Sequence, residues 1–492
     1  MRGSRALLGA LALMFAVPIA RAPGADLLVL HTGFAGFTYG DGRLHSLTES
    51  EVVTRGGKSD VISQGQIRRI GIVYRRDIVN MQSRFATSTG FNGEHFWFSN
   101  PNGFAVPIAG DSAKRLLAED LILTDAIATM PWTARGPDTV DTHSVGVYRI
   151  AKEPGLPIDI YVDDRTGAYR RAVIDPDGDH RVVLDILQYA TVNGMKVISQ
   201  WRSGDEDATH TLNDVSANAV ISDPDLSPPP QIAQWQSIGA PAFPFKTTRN
   251  RIAVEAKVNG VQGLFVLGSG FAGTMISGRF AHRAGLNANG RVEATYGGFP
   301  ESLETGTAET IDIAGNVLRG ASVYFGFQNV DTRIPDGVLG YDLFAHSVVT
   351  LDFAKSTMRI EDPALVNTDG IGGIHMLADL GRGAPAVPAR IQDFEVNALL
   401  DTSVPDPVVI PYGMVERHGL KLAPSNDSSG CWLLDVVTLA SISYTRPLTC
   451  MATDFGDRQV VVGLPFLDNF AQIVFDYSRA GIVFVPKSTD PK

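Results

Sequence analysis

The stretch Ala398-Leu-Leu-Asp401-Thr402-Ser403 is an apolar strand that ends in a carboxylate and two hydroxyl side chains. A second apolar stretch, Val460-Val-Val-Gly463-Leu-Pro-Phe466, follows it further along the chain. The same layout occurs earlier as Phe265-Val-Leu-Gly268-Ser269-Gly270, followed by Gly337-Val-Leu-Gly340-Tyr-Asp-Leu-Phe344. The chain therefore contains two versions of one pattern, with aspartate at the later strand tip and glycine at the earlier one.

The two versions keep nearly the same spacing outside these motifs. Gly268 lies 17 residues before Gly285, and Asp401 lies 18 residues before Gly419. A repeat of about 125 to 135 residues is too long for a solenoid and suits two copies of one small β domain. We therefore predict an internal duplication.

Composition narrows the class of protein. The chain has 492 residues, of which 44% are hydrophobic and 19% charged, so it is long enough for about three globular domains. Its formal net charge of -11 argues against a nucleic-acid partner, because phosphate binding requires clustered Lys and Arg.

The N-terminus has the pattern of a secretory signal peptide. Arg2 and Arg5 precede an apolar run over residues 6–19, and small residues follow as far as residue 25. The apolar run is too short for a lasting membrane span. We expect residues 1–25 to direct secretion across an inner membrane, which gives a periplasmic protein.

Cys431 and Cys450 are the two cysteines of the chain. In an exported protein they are candidates for a disulfide that closes a loop of about 20 residues and stabilises the fold by roughly 3 kcal/mol. Two buried free thiols are the alternative. No histidines cluster beside them, so we expect no metal site, and no cofactor is implied.

Four regions follow the predicted leader. Residues 26–220 alternate short apolar and polar runs with Gly, Asn and Asp, which predicts a β-rich domain. A proline-rich linker over 221–240 favours extended backbone. Two β lobes then occupy 241–362 and 370–490, the first with glycine and the second with aspartate at the strand tip.

An Asn259-Gly260 turn predicts the hairpin that leads to the first strand tip. It joins the alternating segment 252–258 to the apolar strand 264–267. We call the three-residue tips the 268 loop (Gly268-Ser269-Gly270) and the 401 loop (Asp401-Thr402-Ser403).

These features resemble the aspartic peptidases of the retroviral and pepsin type. Their signature is an apolar strand ending in Asp-Thr/Ser-Gly/Ser, followed later by an apolar-Gly segment. The resemblance implies two facing lobes with a substrate cleft, Asp401 as the catalytic residue, and Thr402 and Ser403 in the loop that supports it. It makes Gly268, Ser269 and Gly270 the altered counterpart of that loop.

The N-terminal region resembles the periplasmic lipoprotein-carrier fold, in which a curved antiparallel sheet wraps around a helix. That resemblance implies a surface for an acyl chain or a lipoprotein. A β domain that only packs against its neighbour is the alternative. The expected fold class is mostly β, with an N-terminal curved antiparallel sheet and two tandem aspartic-peptidase-like β-barrel lobes.

Aspartic proteolysis needs two carboxyl groups. At about 3 Å apart they cannot both ionise, so one donates a proton while the other activates water. Gly268 offers no carboxyl group, so the sequence predicts a monomer with weak or no peptidase activity. The alternative is a noncatalytic periplasmic protein that binds a peptide, a lipid or a lipoprotein.

Two further arrangements would give the site a role. A homodimer would bring two copies of Asp401 together. Alternatively, the cleft survives as a groove for a peptide or protein ligand. Tyr296-Gly297-Gly298 lies where the resemblance places a flap over the substrate, although a plain surface hairpin explains the same residues.

Overall fold

The computed structural model describes residues 25–55, 61–151, 155–178, 181–204, 207–239, 241–296, 299–327, 336–381, 383–426, 430–452 and 460–487. Strands make up 54% and helices 14% of these described residues. A large curved antiparallel sheet lies at the N-terminus and barrel-like sheets follow downstream, which confirms the predicted fold class. Residues 1–24 of the predicted leader, and Gly297 and Gly298 of the flap candidate, lie outside the described residues.

The helices are short. They are α1 (Ala25–Ala35), α2 (Gly110–Leu123), α3 (Asp223–Leu226), α4 (Gly278–Arg283), α5 (Tyr341–His346), α6 (Tyr412–His418) and α7 (Leu464–Leu467). Single 3-10 turns occur at Ala126–Thr129, Thr368–Gly370 and Tyr477–Arg479.

The strands fall into three groups along the chain. The first group is β1 (Ser46–Arg55), β2 (Val61–Ile70), β3 (Val73–Asn80), β4 (Ala86–Phe91), β5 (Phe96–Ser99), β6 (Ala105–Ile108), β7 (Trp132–Val140), β8 (His143–Ile150), β9 (Ile158–Asp163), β10 (Tyr169–Ile174), β11 (Val182–Val192), β12 (Met195–Ser203) and β13 (Ala208–Ala217). The second group is β14 (Gln234–Gln236), β15 (Phe243–Pro244), β16 (Lys246–Thr248), β17 (Arg251–Val258), β18 (Val261–Leu267), β19 (Met275–Ser277), β20 (Ala288–Tyr296), β21 (Phe299–Ile313), β22 (Asn316–Phe327), β23 (Gly337–Leu339), β24 (Val348–Asp352) and β25 (Thr357–Glu361). The third group is β26 (Ile374–Leu377), β27 (Ala386–Ile391), β28 (Phe394–Asp401), β29 (Val408–Pro411), β30 (Leu422–Pro424), β31 (Trp432–Leu434), β32 (Val436–Leu439), β33 (Ile442–Thr445), β34 (Leu448–Ala452), β35 (Val460–Gly463), β36 (Phe470–Asp476) and β37 (Gly481–Pro486).

The described residues divide into two compact units. One falls within Met1–Leu44 and Ala118–Glu206, and the other within His45–Leu117 and Asp207–Lys492. The first contains α1 and the antiparallel strands β7 to β12. The second contains β1 to β6, β13 and all later elements. The domain limits expected from the sequence stay a prediction.

In the first unit, α1 is held by a buried histidine. His31 bonds the backbone carbonyl of Gly167 through Nδ1 and the Asp125 carboxylate through Nε2, each at 2.8 Å. The Tyr169 hydroxyl donates to the same carboxylate, and its ring stacks on His31 with centroids 4.0 Å apart. Each polar group has a partner, so the cluster fixes α1 without leaving an unsatisfied buried group.

The second unit contains two nine-stranded sheets. The 268 sheet has the order β14-β22-β19-β23-β18-β17-β21-β20, with β16 paired to β17. The 401 sheet has the order β30-β31-β34-β29-β35-β28-β27-β32-β33. A six-stranded sheet, β15-β25-β24-β36-β37-β26, combines three strands of the second group with three strands of the third.

The two tip strands form parallel ladders with the same register. In the 268 sheet, β18 pairs with β23 through Phe265 opposite Gly337 and Leu267 opposite Leu339. In the 401 sheet, β28 pairs with β35 and places Asp401 opposite Gly463. Parallel strands buried on both faces require continuous apolar runs, which explains the unbroken Val and Leu before each tip.

The predicted turn at Asn259-Gly260 is present between β17 and β18. Asn259 has φ 50° and Gly260 has φ 78°. Two positive φ angles are characteristic of the tight turn that matches the twist of an antiparallel hairpin, and Asn-Gly adopts it at low cost. This turn sets the register that carries β18 to the 268 loop.

Candidate active site

The 268 and 401 loops interlock through reciprocal hydrogen bonds. The Ser269 amide donates to Thr402 Oγ1 and the Thr402 amide donates to Ser269 Oγ, each at 3.1 Å. Each hydroxyl then donates to the strand before the opposite loop: Thr402 to the Leu267 carbonyl at 2.7 Å and Ser269 to the Leu400 carbonyl at 2.8 Å. All four groups are buried, so the exchange fixes the two loops face to face.

Asp401 is the carboxylate at the centre of this arrangement, and it is almost fully buried. Its Oδ1 accepts hydrogen bonds from the Ser403 amide at 2.8 Å and the Ser403 hydroxyl at 2.7 Å. Burial raises the pKa of Asp401 above its usual value, although hydrogen bonds from Ser403 and the Gly270 amide and the charge of Arg251 act in the opposite direction. The carboxylate is thus held by donors from both loops.

The third residue of each loop lies against the first residue of the other. A Cβ atom placed on Gly270 would lie 2.7 Å from Cβ and Cγ of Asp401, so only glycine fits there. The opposite contact is looser, because a Cβ atom on Gly268 would lie 3.4 Å from Cβ of Ser403, an ordinary van der Waals distance. The two loops therefore differ in how closely the third residue of one approaches the first residue of the other.

Apolar atoms fill the space beside Gly268. A Cβ atom at this position would lie 2.7 Å from Val338 Cγ1 and 3.0 Å from Phe271 Cδ2. Contacts under 3 Å are not tolerated without a shift of the neighbour, and Val338 is fully buried. The space beside Gly268 is too small for a Cβ atom, so an aspartate at this position would require a smaller residue at 338.

An apolar cluster flanks each loop. Side chains two residues apart share a strand face, so Val266 lies on the face of position 268 and Leu399 on the face of Asp401. The 268 cluster consists of Val266, Met275, Leu303 and Val338, with Phe271, Val292 and Tyr324 packed against it. The 401 cluster consists of Ala384, Leu399, Val409 and Val461, with Val404 and Ala452 packed against it.

Of the flap candidate, Tyr296 is the last residue of β20 and pairs with Phe299 of β21. Further down the hairpin, Val292 lies opposite Leu303, and both side chains contribute to the 268 cluster. The hairpin stem therefore packs beside the 268 loop.

Cys431 and Cys450 form a disulfide. Cys450 lies in β34 and Cys431 immediately precedes β31, its neighbour in the 401 sheet. Cys450 is also the cross-strand partner of Val409 in the 401 cluster. The disulfide therefore fixes the part of the 401 sheet that supports this cluster.

Two residues outside the sequence motifs also support the site. Tyr477 is buried and its hydroxyl donates to the Ser269 carbonyl at 3.0 Å. Arg251 is buried and its Nε donates to the Ser403 carbonyl at 2.7 Å. Both support the loops from positions far away in the chain. No local sequence pattern distinguishes them from an ordinary core tyrosine or a strand-end arginine.

Asp342 is a second buried carboxylate that the sequence motif contained without an assigned role. It accepts hydrogen bonds from the side-chain amides of Asn100 at 2.8 Å and Asn102 at 2.5 Å. It also accepts the Thr274 amide at 2.7 Å. Burial raises the pKa of Asp342. The Asn100-Pro-Asn-Gly103 turn thus anchors the segment that follows the 268 loop.

Residues 254–343 match the family model of aspartyl proteases. The recognised resemblance to aspartic peptidases is confirmed. The matched range includes the 268 loop and Gly340, so the family pattern is recognisable here without the aspartate. A search of curated proteins finds no match.

Several solved structures are similar to parts of the chain. A DUF1329 family protein from Desulfovibrio piger has 16% identity and a TM-score of 0.31, covering 42% of this chain and 95% of its own. A LolA superfamily protein from Nitrosomonas europaea has 10% identity and a TM-score of 0.31, covering 41% and 96%. A retropepsin-like aspartic protease from Rickettsia conorii has 16% identity and a TM-score of 0.18, covering 23% and 83%.

Proposed function

We propose that this chain is an exported, aspartic-peptidase-like protein that binds a peptide or protein segment in front of the 401 loop and cleaves it very slowly or not at all. The observation that carries the proposal is the environment of Asp401. Its hydrogen-bond partner is the Ser403 hydroxyl, and the equivalent tip of the 268 sheet is glycine.

The chemistry explains the expected loss of activity. Hydrolysis needs an acid that protonates the scissile carbonyl and a base that activates water. Asp401 can serve as base when ionised, but a serine hydroxyl is too weak an acid to replace the second carboxyl group. The loss of a coupled acid–base partner typically costs about 10²- to 10⁴-fold in rate.

The homodimer expected as an alternative is less favoured by the loop geometry. A dimer that joined two 401 loops would have to separate each of them from its own 268 loop. That separation would break the buried exchange between Ser269 and Thr402. We therefore propose that the 268 sheet, rather than a second chain, supplies the other half of the site.

We also propose that the 268 and 401 sheets descend from one duplicated domain. The equal register of their parallel ladders supports this, as does the reciprocal bonding of their tips. In this view the first copy lost its aspartate and the later copy kept it.

Export to the periplasm is part of the proposal. The charged and apolar leader pattern and the Cys431–Cys450 disulfide support it, because disulfides persist in oxidising compartments. Among the described residues, no helix has the length and apolar character needed to span a membrane.

An acyl-chain site on strands β1 to β6 receives less support. Glu51 pairs there with Arg76 through two hydrogen bonds of 2.7 Å and with His210 at 2.9 Å. Arg76 lies opposite Thr89 of β4, and Thr89 lies opposite Phe98 of β5. Because directly opposite residues share a sheet face, Arg76 and Phe98 lie on the same face. Phe98 and side chains of α2 pack against the same apolar cluster, and the buried Glu51 carboxylate lies on this same face of the sheet. A buried charge makes the face poorly suited to a hydrocarbon chain.

Digestion and binding assays on the same purified variants test the proposal. A peptide library is incubated between pH 3 and 7 with wild type, Asp401→Asn and Asp352→Asn, and peptide binding is measured in parallel. Asp352 is a matched control, because it is also a buried carboxylate but bonds Lys355 and Gln472 in the six-stranded sheet. We expect little cleavage by any of the three proteins. Peptide binding should be weaker in Asp401→Asn than in wild type, and unchanged in Asp352→Asn. Rapid cleavage by the wild-type monomer that Asp401→Asn abolishes would overturn the proposal.

A further inference from the structure

The loop Met81–Phe85 between β3 and β4 has a defined shape. The Asn80 side chain accepts the amides of Gln82 at 3.0 Å and Ser83 at 2.8 Å. Arg84 adopts a left-handed conformation with φ 63°, and its amide donates to the Asn80 carbonyl. In this conformation the backbone carbonyls of Gln82 and Ser83 point away from the loop and can accept hydrogen bonds from the β20–β21 hairpin.

Those carbonyls bond the stem of the β20–β21 hairpin. Thr305 Oγ1 donates to the Ser83 carbonyl at 2.7 Å, and Thr305 is fully buried. The Arg291 amide donates to the Gln82 carbonyl at 2.9 Å. A Cβ atom on Gly290 would lie 2.6 Å from both carbonyl oxygens, so glycine is required for this close approach.

Phe85 extends the contact to the 268 cluster. Its buried ring meets the ring of Tyr324 edge-on, with centroids 5.1 Å apart. Tyr324 packs against the 268 cluster and is the cross-strand partner of Thr305. One loop from the N-terminal sheet thus bonds both strands of the hairpin and packs against a side chain of the apolar cluster beside Gly268.

We propose that the Met81–Phe85 loop is an intramolecular latch that keeps Val292 and Leu303 of the β20–β21 stem packed in the 268 cluster, and that an apolar ligand side chain reaches this cluster only when the latch opens. The second half of this statement rests on the proposed peptide-binding function, whereas the latch itself does not. The N-terminal sheet then controls access to one side of the site.

Within the described residues, two hydrogen bonds and one ring contact join this loop to the hairpin stem and Tyr324, so local opening should be measurable. A net hydrogen bond contributes about 1 kcal/mol, and loops held by a few such contacts open independently of global unfolding. Removing one bond should therefore change local exchange by roughly fivefold to tenfold.

Hydrogen exchange on the full chain tests the latch directly. The variants are Thr305→Val and Phe85→Ala, and the control is Thr307→Val, an exposed position on the same strand. We expect the Arg291 amide and its neighbours in β20 to exchange roughly fivefold to tenfold faster in Thr305→Val and to exchange faster still in Phe85→Ala, which removes a buried ring. The control should match wild type, and unfolding temperatures identify any variant that loosens globally. Unchanged β20 exchange in both test variants, with the unfolding temperature retained, overturns the proposal.

Binding of a fluorescein-labelled casein digest then tests the ligand half. If the latch gates the site, Phe85→Ala and Thr305→Val should bind the labelled peptides severalfold faster than wild type and Thr307→Val. Faster hydrogen exchange in β20 without faster peptide binding would support the latch but contradict its role in ligand entry. A complete lack of binding by all four proteins contradicts the proposed function and leaves the exchange result standing.

Discussion

The hydroxyl of Ser403 lies 2.7 Å from Oδ1 of Asp401 and donates a hydrogen bond to it. In a working pair of aspartates the second carboxyl group would interact with this carboxylate. A Cβ atom at position 268 would make an ordinary contact with Ser403, whereas the reciprocal position, Gly270, has no room for a side chain beside Asp401. Asp401 is therefore hydrogen-bonded by a serine hydroxyl in a site where position 268 supplies no carboxyl group.

Restoring the catalytic pair should require three substitutions. Gly268→Asp alone brings Cβ to 2.7 Å from Val338, so we expect it to destabilise the fold without activity. Gly268→Asp combined with Val338→Ala and Ser403→Gly removes the close contact with Val338 and the hydroxyl that bonds Asp401, and should raise peptide hydrolysis near pH 4 by at least roughly 10²-fold. Hydrolysis of a labelled peptide library measures the gain.

The matched control carries asparagine instead of aspartate at 268, together with the same two companion substitutions. Asparagine has nearly the same shape as aspartate but no acidic group, so this variant should show no gain in peptide hydrolysis. Equal activity in the aspartate and asparagine triple variants would mean that the gain does not come from a carboxyl pair.

Asp401 should make stability depend on pH in a defined direction. Burial raises its pKa in the folded state, so the folded protein binds its proton more tightly than the unfolded chain. The stability associated with that proton is present below the unfolded pKa and is lost as pH rises through the folded pKa. Asp401→Asn removes this loss, so the variant should gain stability relative to wild type between pH 3 and pH 8.

Ser403→Ala should act in the opposite sense. It removes a donor that lowers the pKa of Asp401, so the folded-state pKa rises further and the loss of stability toward pH 8 grows. Urea unfolding of both variants at pH 3, 5 and 8 measures the effect. Parallel stability curves for wild type and Asp401→Asn across this range would contradict a raised pKa.

The sequence predicted the fold where local and periodic signals agreed. The apolar run ending at Leu267 and the Asn259-Gly260 turn were sufficient to predict β18 and its hairpin, because both depend on residues close in the chain. The bonds from Asn100 and Asn102 to Asp342 were not predictable, because they join segments about 240 residues apart and use side chains typical of any turn. The same holds for Arg251 and Tyr477, which support the loops only through tertiary contact.

The hydrogen bonds that Ser269 and Thr402 donate to each other should be strongly coupled in their effect on stability. Thr402→Val leaves the Ser269 amide and the Leu267 carbonyl without their buried partner and should destabilise the protein by about 2–4 kcal/mol. Ser269→Ala should cost a similar amount for the same reason. In the double variant the two losses should overlap, giving a coupling energy of about 1 kcal/mol or more.

Urea unfolding of the single and double variants measures this cycle. Thr307→Val, on an exposed part of β21, is the control and should change stability by less than about 0.5 kcal/mol. Strictly additive losses for Thr402→Val and Ser269→Ala would show that the two loops do not depend on each other.

Acid should destabilise the N-terminal strands through Glu51. Burial raises its pKa, but Arg76 and His210 outweigh this and lower the pKa to about 2. The resulting stability is present above the unfolded pKa and is lost as pH falls toward 2. Glu51→Gln should therefore cost roughly 2–3 kcal/mol at pH 7 and much less at pH 2. Glu304→Gln, a partly exposed position on β21, serves as control, and unfolding at both pH values measures the difference. A Glu51→Gln penalty that is equal at pH 7 and pH 2 would show that the pairing with Arg76 and His210 does not stabilise the ionised carboxylate.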